Sequence, residues 1–278
     1  MLSTNEIIAH ELHVNLAQVD AAVALLDDGA TVPFISRYRK EVTGGLDDTQ
    51  LRQLDERLGY LRELAERRLS VLASIEEQGK LTPELRTSIE QADTKTRLED
   101  LYLPYKKKRR TKGQIAIEAG LEPLADAIIG NFDLDPETEA TKYISSEHDV
   151  ADSKAALEGA KFILMERFAE NADLLARLRT IITEDGMLMS NVVKDKEDAG
   201  EKFRDYFDYR EPLAKVPPHR ALALFRGRKE GMLAIKLDIP DLDRTAAHPC
   251  ESAIAHTAAL PYSPSGESLG KPAASVWL

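Results

Sequence analysis

Six cations fall within seven positions at Lys106, Lys107, Lys108, Arg109, Arg110 and Lys112. The chemistry open to such a run is phosphate binding, because lysine supplies a point charge and arginine a planar fork that matches paired phosphate oxygens. The run opposes its background: the chain has 48 Asp plus Glu against 37 Lys plus Arg, and a formal net charge of -11. A cluster this dense in an acidic protein implies either acidic neighbours or an anionic partner. Nucleic-acid backbone is the partner that fits. The competing reading is a solvated loop salt-bridged to acidic runs such as Glu99-Asp100, as most exposed charge runs are. Tyr102 and Tyr105 flank the cluster, either to stack on bases or as buried anchors of the loop.

Arg37, Arg39 and Lys40 form a second candidate set. They sit in a short helix that follows a first helix and a turn containing Gly29, the outline of a helix-turn-helix over residues 17 to 41. Packed helical pairs share that outline, and Arg37 or Arg39 can equally bridge internal carboxylates.

Other chemistries find no support. His10 and His13 lie one turn apart beside Glu6, and His248 and Cys250 lie near the C-terminus, but neither pair has further ligands at zinc spacing. No Gly-x-Ser-x-Gly elbow is present, and Gly44-Gly45 lacks the Lys-Ser/Thr of a phosphate loop. The carboxylates mostly occupy exposed helix faces. No metal, cofactor, catalytic residue or small-molecule substrate is therefore expected, and the chain is read as noncatalytic.

Elements that position these residues are read from periodicity and caps. Ser3 with Glu6 predicts a first helix, Val19, Val23 and Leu26 stripe a second, and Thr31 with Pro33 opens a short third with Phe34 and Tyr38 on one face. Asp47 and Asp48 open a long helix to about Gln78, with Leu51, Leu54, Leu58, Leu61, Ala65, Leu72 and Ile75 in heptad-like order. At 1.5 Å per residue it spans about 45 Å, and Arg68 at a seam position argues for packing within a bundle over a free coiled coil. Thr82-Pro83 and Asp93 start two further helices, the second ending near Pro104, so the basic cluster begins in a loop. Thr111 and Gly120 bracket another helix, Gly130 ends the next, and Asp135-Pro136 and Asp152 begin two more. Met187 to Val193 and Gly231 to Leu237 read as strands.

The expected fold is mainly α: a multi-helix array with a helix-turn-helix-like element and one long helix, plus a small mixed segment near the C-terminus. Residues 1–184 form the helical region, 185–240 a small mixed α/β segment, and 241–278 a poorly structured tail rich in small residues, Pro, Ser and Gly. With 278 residues, 43% hydrophobic, the chain has enough apolar material for one large or two smaller cores. The single Cys250 forms no intramolecular disulfide, the start Met1-Leu2-Ser3-Thr4-Asn5-Glu6 lacks the features of a secretory signal, and no apolar run approaches the roughly 20 residues of a membrane span. A cytoplasmic location and no membrane partner are expected.

Three long strings carry a family resemblance: Val32 to Asp47 (VPFISRYRKEVTGGLD), Leu98 to Lys106 (LEDLYLPYK) and Lys202 to Tyr209 (KFRDYFDY), joined by Pro218 to Arg228 (PHRALALFRGR). They resemble the Tex family of bacterial transcription accessory proteins over about residues 1 to 240. The resemblance implies a helical N-terminal region, related in architecture to eukaryotic elongation factors of the Spt class, with a helix-turn-helix-like element near its start. It also implies that an RNase H-like domain, helix-hairpin-helix elements and a C-terminal OB-fold RNA-binding domain follow in the family. None of these fits within 278 residues, so a truncated gene product or a fragment is expected. The function expected is a transcription-associated module that binds RNA or DNA without sequence specificity, with the transcription machinery as a further partner. A helical protein-interaction scaffold and a truncated remnant stay open as alternatives.

Overall fold

The computed structural model describes residues 2–106, 109–131, 133–239 and 248–258. Lys107 and Lys108 of the basic cluster lie outside the described residues, as do 240–247 and 259–278 of the expected tail. Contacts divide the chain into two compact units between Tyr105 and Lys106, a division inside the stretch that the sequence reads as one helical region.

The first unit is all helix. Ser3 caps α1 (Thr4–Leu12) in a capping box: the Glu6 N–H donates to Ser3 Oγ at 3.2 Å and the Ser3 N–H to Glu6 Oε2 at 2.6 Å. Next come α2 (Leu16–Asp27) and α3 (Val32–Tyr38), the latter with Pro33 in its first turn. The long helix α4 (Asp48–Glu77) starts from Asp47, whose carboxylate accepts from the Gln50 N–H at 2.8 Å while the Asp47 N–H donates to Gln50 Oε1 at 3.0 Å. Thr82 caps α5 (Pro83–Gln91) and Thr94 caps α6 (Lys95–Tyr102), one residue after the expected start at Asp93; a short 3-10 turn over Leu103–Tyr105 closes the unit.

Both apolar clusters of this unit are built on α4. Its N-terminal half buries Leu51, Leu54, Leu58 and Leu61 against α1, α2 and α3, and its C-terminal half buries Leu64, Val71, Leu72 and Ile75 against α5 and α6. The expected stripe fails at one point, for Ala65 is exposed and Leu64 is buried instead. A straight helix turns once per 3.6 residues, so a strict heptad drifts by about 20° per repeat, and Leu64 and Val71 join Leu72 and Ile75 on the buried face of the second half. Arg68 sits where the seam would have been polar. Its guanidinium donates to the carbonyls of Ile89 at 3.2 Å and Ala92 at 2.9 Å at the C-terminal end of α5, where a helix runs out of intrahelical donors; the Ile89 carbonyl also accepts from the Ala92 N–H at 3.3 Å.

The link from α3 to α4 is held from both sides. Gly44 and Gly45 take φ of +60° and +92°, a left-handed path that glycine follows without steric strain. The Gly45 N–H donates to the Lys40 carbonyl at 2.8 Å and Gln18 Nε2 to the Gly44 carbonyl at 2.8 Å. Thr43 and Leu46 are buried, with Thr43 Oγ1 donating to Lys40 O at 3.2 Å. The C-terminal end of α3 is thus fixed by backbone bonds and by a packed threonine.

In the second unit, α7 (Lys112–Glu118), α8 (Glu122–Gly130), α9 (Pro136–Ala140) and α10 (Ser153–Ala169) enclose a core of Ala116, Leu121, Leu124, Ile128, Ala156, Ala160 and Ile163. α7 runs close against α10: a Cβ at Gly113 would stand 3.1 Å from the Phe162 carbonyl and 2.2 Å from Glu166 Oε2. After α11 (Ala172–Asp185), the strands β1 (Met187–Val192), β2 (Asp208–Pro212) and β3 (Leu233–Asp238) form an antiparallel sheet in the order β2-β1-β3. Ser190 pairs with Tyr209 and Ile235. Leu188, Leu233 and Phe203 pack against Leu224 of α12 (Pro218–Lys229). Within the stretch read as poorly structured, Pro249–Thr257 forms helix α13, capped by His248 and packed on α11 through a face that buries Ala253 and Ala255.

Two expected outcomes follow from this packing. Replacing Arg68 by Met leaves the end carbonyls of α5 without their charged donor and lowers stability by about 1.5–3 kcal/mol, the range for hydrogen bonds to charged groups, as read by chemical denaturation. The second concerns Glu211 of β2, which accepts from the Tyr209 hydroxyl and from Arg220 Nη1 of α12 at 3.0 Å. The Tyr209 bond first, and Arg220 after it, hold the Glu211 carboxyl below its ordinary value of 4.5. A carboxyl lowered on folding adds stability above its unfolded value, and that stability fades as pH falls through the folded value. Wild type therefore loses more stability than Glu211→Gln between about pH 6 and about pH 3, measured as the difference in denaturation midpoints.

Candidate nucleic-acid interface

The basic cluster links the 3-10 turn at Tyr105 to the first turn of α7. Lys106, Arg109 and Arg110 are exposed, and Lys112 is the first residue of α7 with its side chain exposed. Thr111 caps that helix, accepting from the Gln114 N–H at 3.0 Å, and its hydroxyl donates to Glu166 Oε2 of α10 at 2.8 Å. One side of the cluster is thereby tied to a core helix. Arg110 is already compensated: its Nε donates to Glu118 Oε2 at 3.0 Å. Lys112 Nζ lies 4.5 Å from the centroid of the Phe162 ring, a cation-π contact that orients the ammonium without neutralising it.

The flanking tyrosines act as anchors. Tyr102 shares a hydrogen bond with Ser74 at 3.0 Å, carries the Arg67 guanidinium over its ring at 5.3 Å, and packs with Tyr105 on the C-terminal core of α4. Gln78 Nε2 donates to the Tyr105 carbonyl at 3.0 Å. Of the acidic run expected to balance the cluster, Glu99 holds the Arg67 fork at 2.6 and 3.2 Å.

Arg37, Arg39 and Lys40 lie in the first unit and are all exposed. Among the described residues none of them closes an ion pair, although Arg37 acts electrostatically on the Asp48 carboxyl, which Arg52 already holds below its ordinary range. Only Arg37 lies in α3; Arg39 is its C-terminal cap and Lys40 falls in the turn beyond, one and two residues past the end of the helix expected to hold them. Two aromatic side chains of α3 join them at the surface, Phe34 and Tyr38. Their shared face was readable from the i, i+4 spacing. That the face points away from the core was not, since the same spacing serves a buried stripe.

Three further candidates take part in helix ends: His13 at the end of α1 and His248 with Cys250 at the start of α13. His248 Nδ1 accepts from the Cys250 N–H at 3.2 Å as the cap of α13, and burial pushes the Cys250 thiol up, away from reactivity. His13 is the left-handed residue that ends α1. A cleft of about 700 Å³ opens between the α2–α3 turn and α4, lined by Asp27, Asp55, Glu56, Arg52 and Arg62 among others. Asp27 is bound by Arg62 at 2.7 Å and sits below its ordinary pKa because of that bond. Arg52 is likewise held by Asp48 at 2.7 Å, so both of these arginines of the cleft wall are engaged by carboxylates.

Comparison with known proteins gives this geometry its family. Residues 131–269 match the model described as Tex central region-like, and residues 2–76 match the Tex-like protein N-terminal domain. The chain is 62% identical over 232 residues to Protein YhgF of Escherichia coli, covering 84% of this chain and 30% of that protein. It is 58% identical over 236 residues to Transcriptional accessory protein Tex of Neisseria gonorrhoeae, covering 85% and 31%. At greater distance it is 28% identical over 227 residues to human S1 RNA-binding domain-containing protein 1, covering 79% and 22%. The chain thus spans about a third of the length of these bacterial relatives. With half of its length matched by the central-region model and its first helices by the N-terminal one, the chain belongs to the Tex family.

Proposed function

We propose that this chain is a noncatalytic, cytoplasmic module of transcription that binds RNA or DNA through the phosphate backbone, without reading sequence. The observation that carries the reading is the exposure of Lys106, Arg109, Arg110 and Lys112 at one loop and helix start, in a chain of net charge -11. Lys107 and Lys108 complete the set, and Arg37, Arg39 and Lys40 on the helix-turn-helix-like element provide further phosphate contacts. An exposed cluster of this kind attracts a polyanion by releasing its condensed counterions. The names of two relatives, a transcriptional accessory protein and an S1 RNA-binding domain-containing protein, support the same class of partner. The acidic remainder of the surface limits binding to these cationic places and disfavours long tracts of contact.

A protein-docking role, with the transcription machinery as partner, has its own observation. Leu222 and Phe225 of α12 are 70% and 54% exposed, one helical turn apart. Such a pair is an anchor of the kind that interfaces bury.

The test is fluorescence anisotropy with labelled single-stranded RNA and duplex DNA over a salt series. Engagement of about six duplex phosphates predicts a log-log slope near -5. The double reversal Lys107→Glu with Arg109→Glu is expected to reduce the slope by about 2 and to weaken binding at least tenfold at low salt. Absence of binding by the wild type at low salt would reject the nucleic-acid reading. Retained binding to a protein partner by the double variant would favour docking.

A further inference from the structure

The exposed face of α3 offers more than charge. Phe34 and Tyr38 are 41% and 61% exposed, while Val32 and Ile35 of the same helix are buried. Their ring centroids are 5.4 Å apart with planes at 46°, so the rings stand beside each other and neither covers the other. The Arg39 guanidinium lies over one face of the Phe34 ring, 5.5 Å from its centroid, which leaves the other face for a base. Arg37 and Lys40 are exposed in the same segment.

We infer that Phe34 and Tyr38 form a stacking platform for unpaired bases, with Arg37, Arg39 and Lys40 holding the phosphates of the same single strand. The inference rests on the nucleic-acid reading above and narrows it to single strands at this site. Each base has an apolar face that an exposed ring can cover, whatever its identity, but a duplex keeps those faces inside its own stack. Three cations without ion-pair partners complement a backbone that carries one charge per nucleotide. An apolar protein helix laid on the same face would have to desolvate those cations, and it would return no carboxylate for them. The platform is also preorganised: buried Ile35 anchors the helix, and buried Thr43 with the left-handed Gly44-Gly45 turn fixes its end, so little freedom is lost on binding. Tyr102 and Tyr105, the aromatics beside the larger cluster, are engaged in the core and leave stacking to α3.

The test compares the full chain with Phe34→Ala/Tyr38→Ala and with the conservative Phe34→Tyr/Tyr38→Phe. The probes are oligouridylate, whose bases stack weakly on one another, carrying one fluorescent adenine analogue whose emission falls on stacking, and a labelled DNA duplex. Thermal unfolding first establishes that both variants fold like wild type, as expected for exposed rings. Wild type should quench the analogue. The alanine pair should lose the quenching and bind the single strand about tenfold or more weakly, with duplex affinity and salt slope unchanged and with the conservative pair behaving as wild type. If the wild type binds the oligonucleotide without quenching, or if the alanine pair binds it equally well, the platform is refuted while the nucleic-acid reading stands. An equal loss on single strand and duplex also refutes it. Failure of the wild type to bind either probe at low salt removes the nucleic-acid reading and the platform together.

Discussion

One apolar stripe on a thirty-residue helix supports the whole first unit. α4 is too polar to be buried on all sides and too long to be covered by one neighbour, so it gathers α1, α2 and α3 on its first half and α5 and α6 on its second. Each leucine it buries contributes roughly 1.5–3 kcal/mol, which is far more than the surface ion pairs along its flanks supply. Pairs such as Arg57 with Glu11 and Arg62 with Asp27 join α4 to α1 and α2 at exposed edges, where an ion pair is worth at most about 1 kcal/mol. They set register more than stability. The direction in which α3 faces follows from this arrangement, because Val32 and Ile35 must meet the α4 stripe and the opposite face is left to solvent.

The same attention to pairing shows which cations of this acidic protein lack a carboxylate partner. Most arginines described on helix surfaces are engaged by a carboxylate: Arg67 by Glu99, Arg167 by Asp126 and Glu122, Arg220 by Glu211. These cations are neutralised locally and contribute little field beyond a Debye length. Arg37 of α3, Arg39 at its C-terminal cap and Lys40 beyond it have no such partner among the described residues, and of the described members of the larger cluster, Arg110 is the one held in an ion pair. A search for functional charge in this chain therefore turns on pairing in space, which a count of Lys and Arg in the sequence does not reveal.

How far the site was legible follows from the range of the forces involved. The cluster from Lys106 to Lys112 is contiguous, so its existence, its loop setting and the cap at Thr111 were all readable, each being decided within a few residues. The roles of Tyr102 and Tyr105 were not decided there. Both stacking and anchoring suit a tyrosine, and the contacts with Ser74, Arg67 and Gln78 that favour anchoring come from residues more than twenty positions away. Phe34 and Tyr38 show the converse case: their spacing placed them on one side of α3, and packing alone turned that side outward.

By itself the sequence determined the helical class, the ends of the helices marked by Ser3, Asp47, Thr82, Thr111 and Asp152, the two strands with alternating or apolar character, and, through its long motif strings, the family. Caps and periodicity are local, and a side chain that satisfies the nearest N–H groups does so whatever lies beyond it. Tertiary structure decided the rest. Leu64 displaced Ala65 because the partner of α4 lies on a 3.6-residue face. β2 became a strand because β1 offers it backbone partners, despite the charged residues and terminal proline of Asp208–Pro212. α13 gained a buried face because α11 was there to cover it. The division after Tyr105 belongs to the same class, for a unit boundary is a sparsity of long-range contacts, and no residue near it carries that information alone.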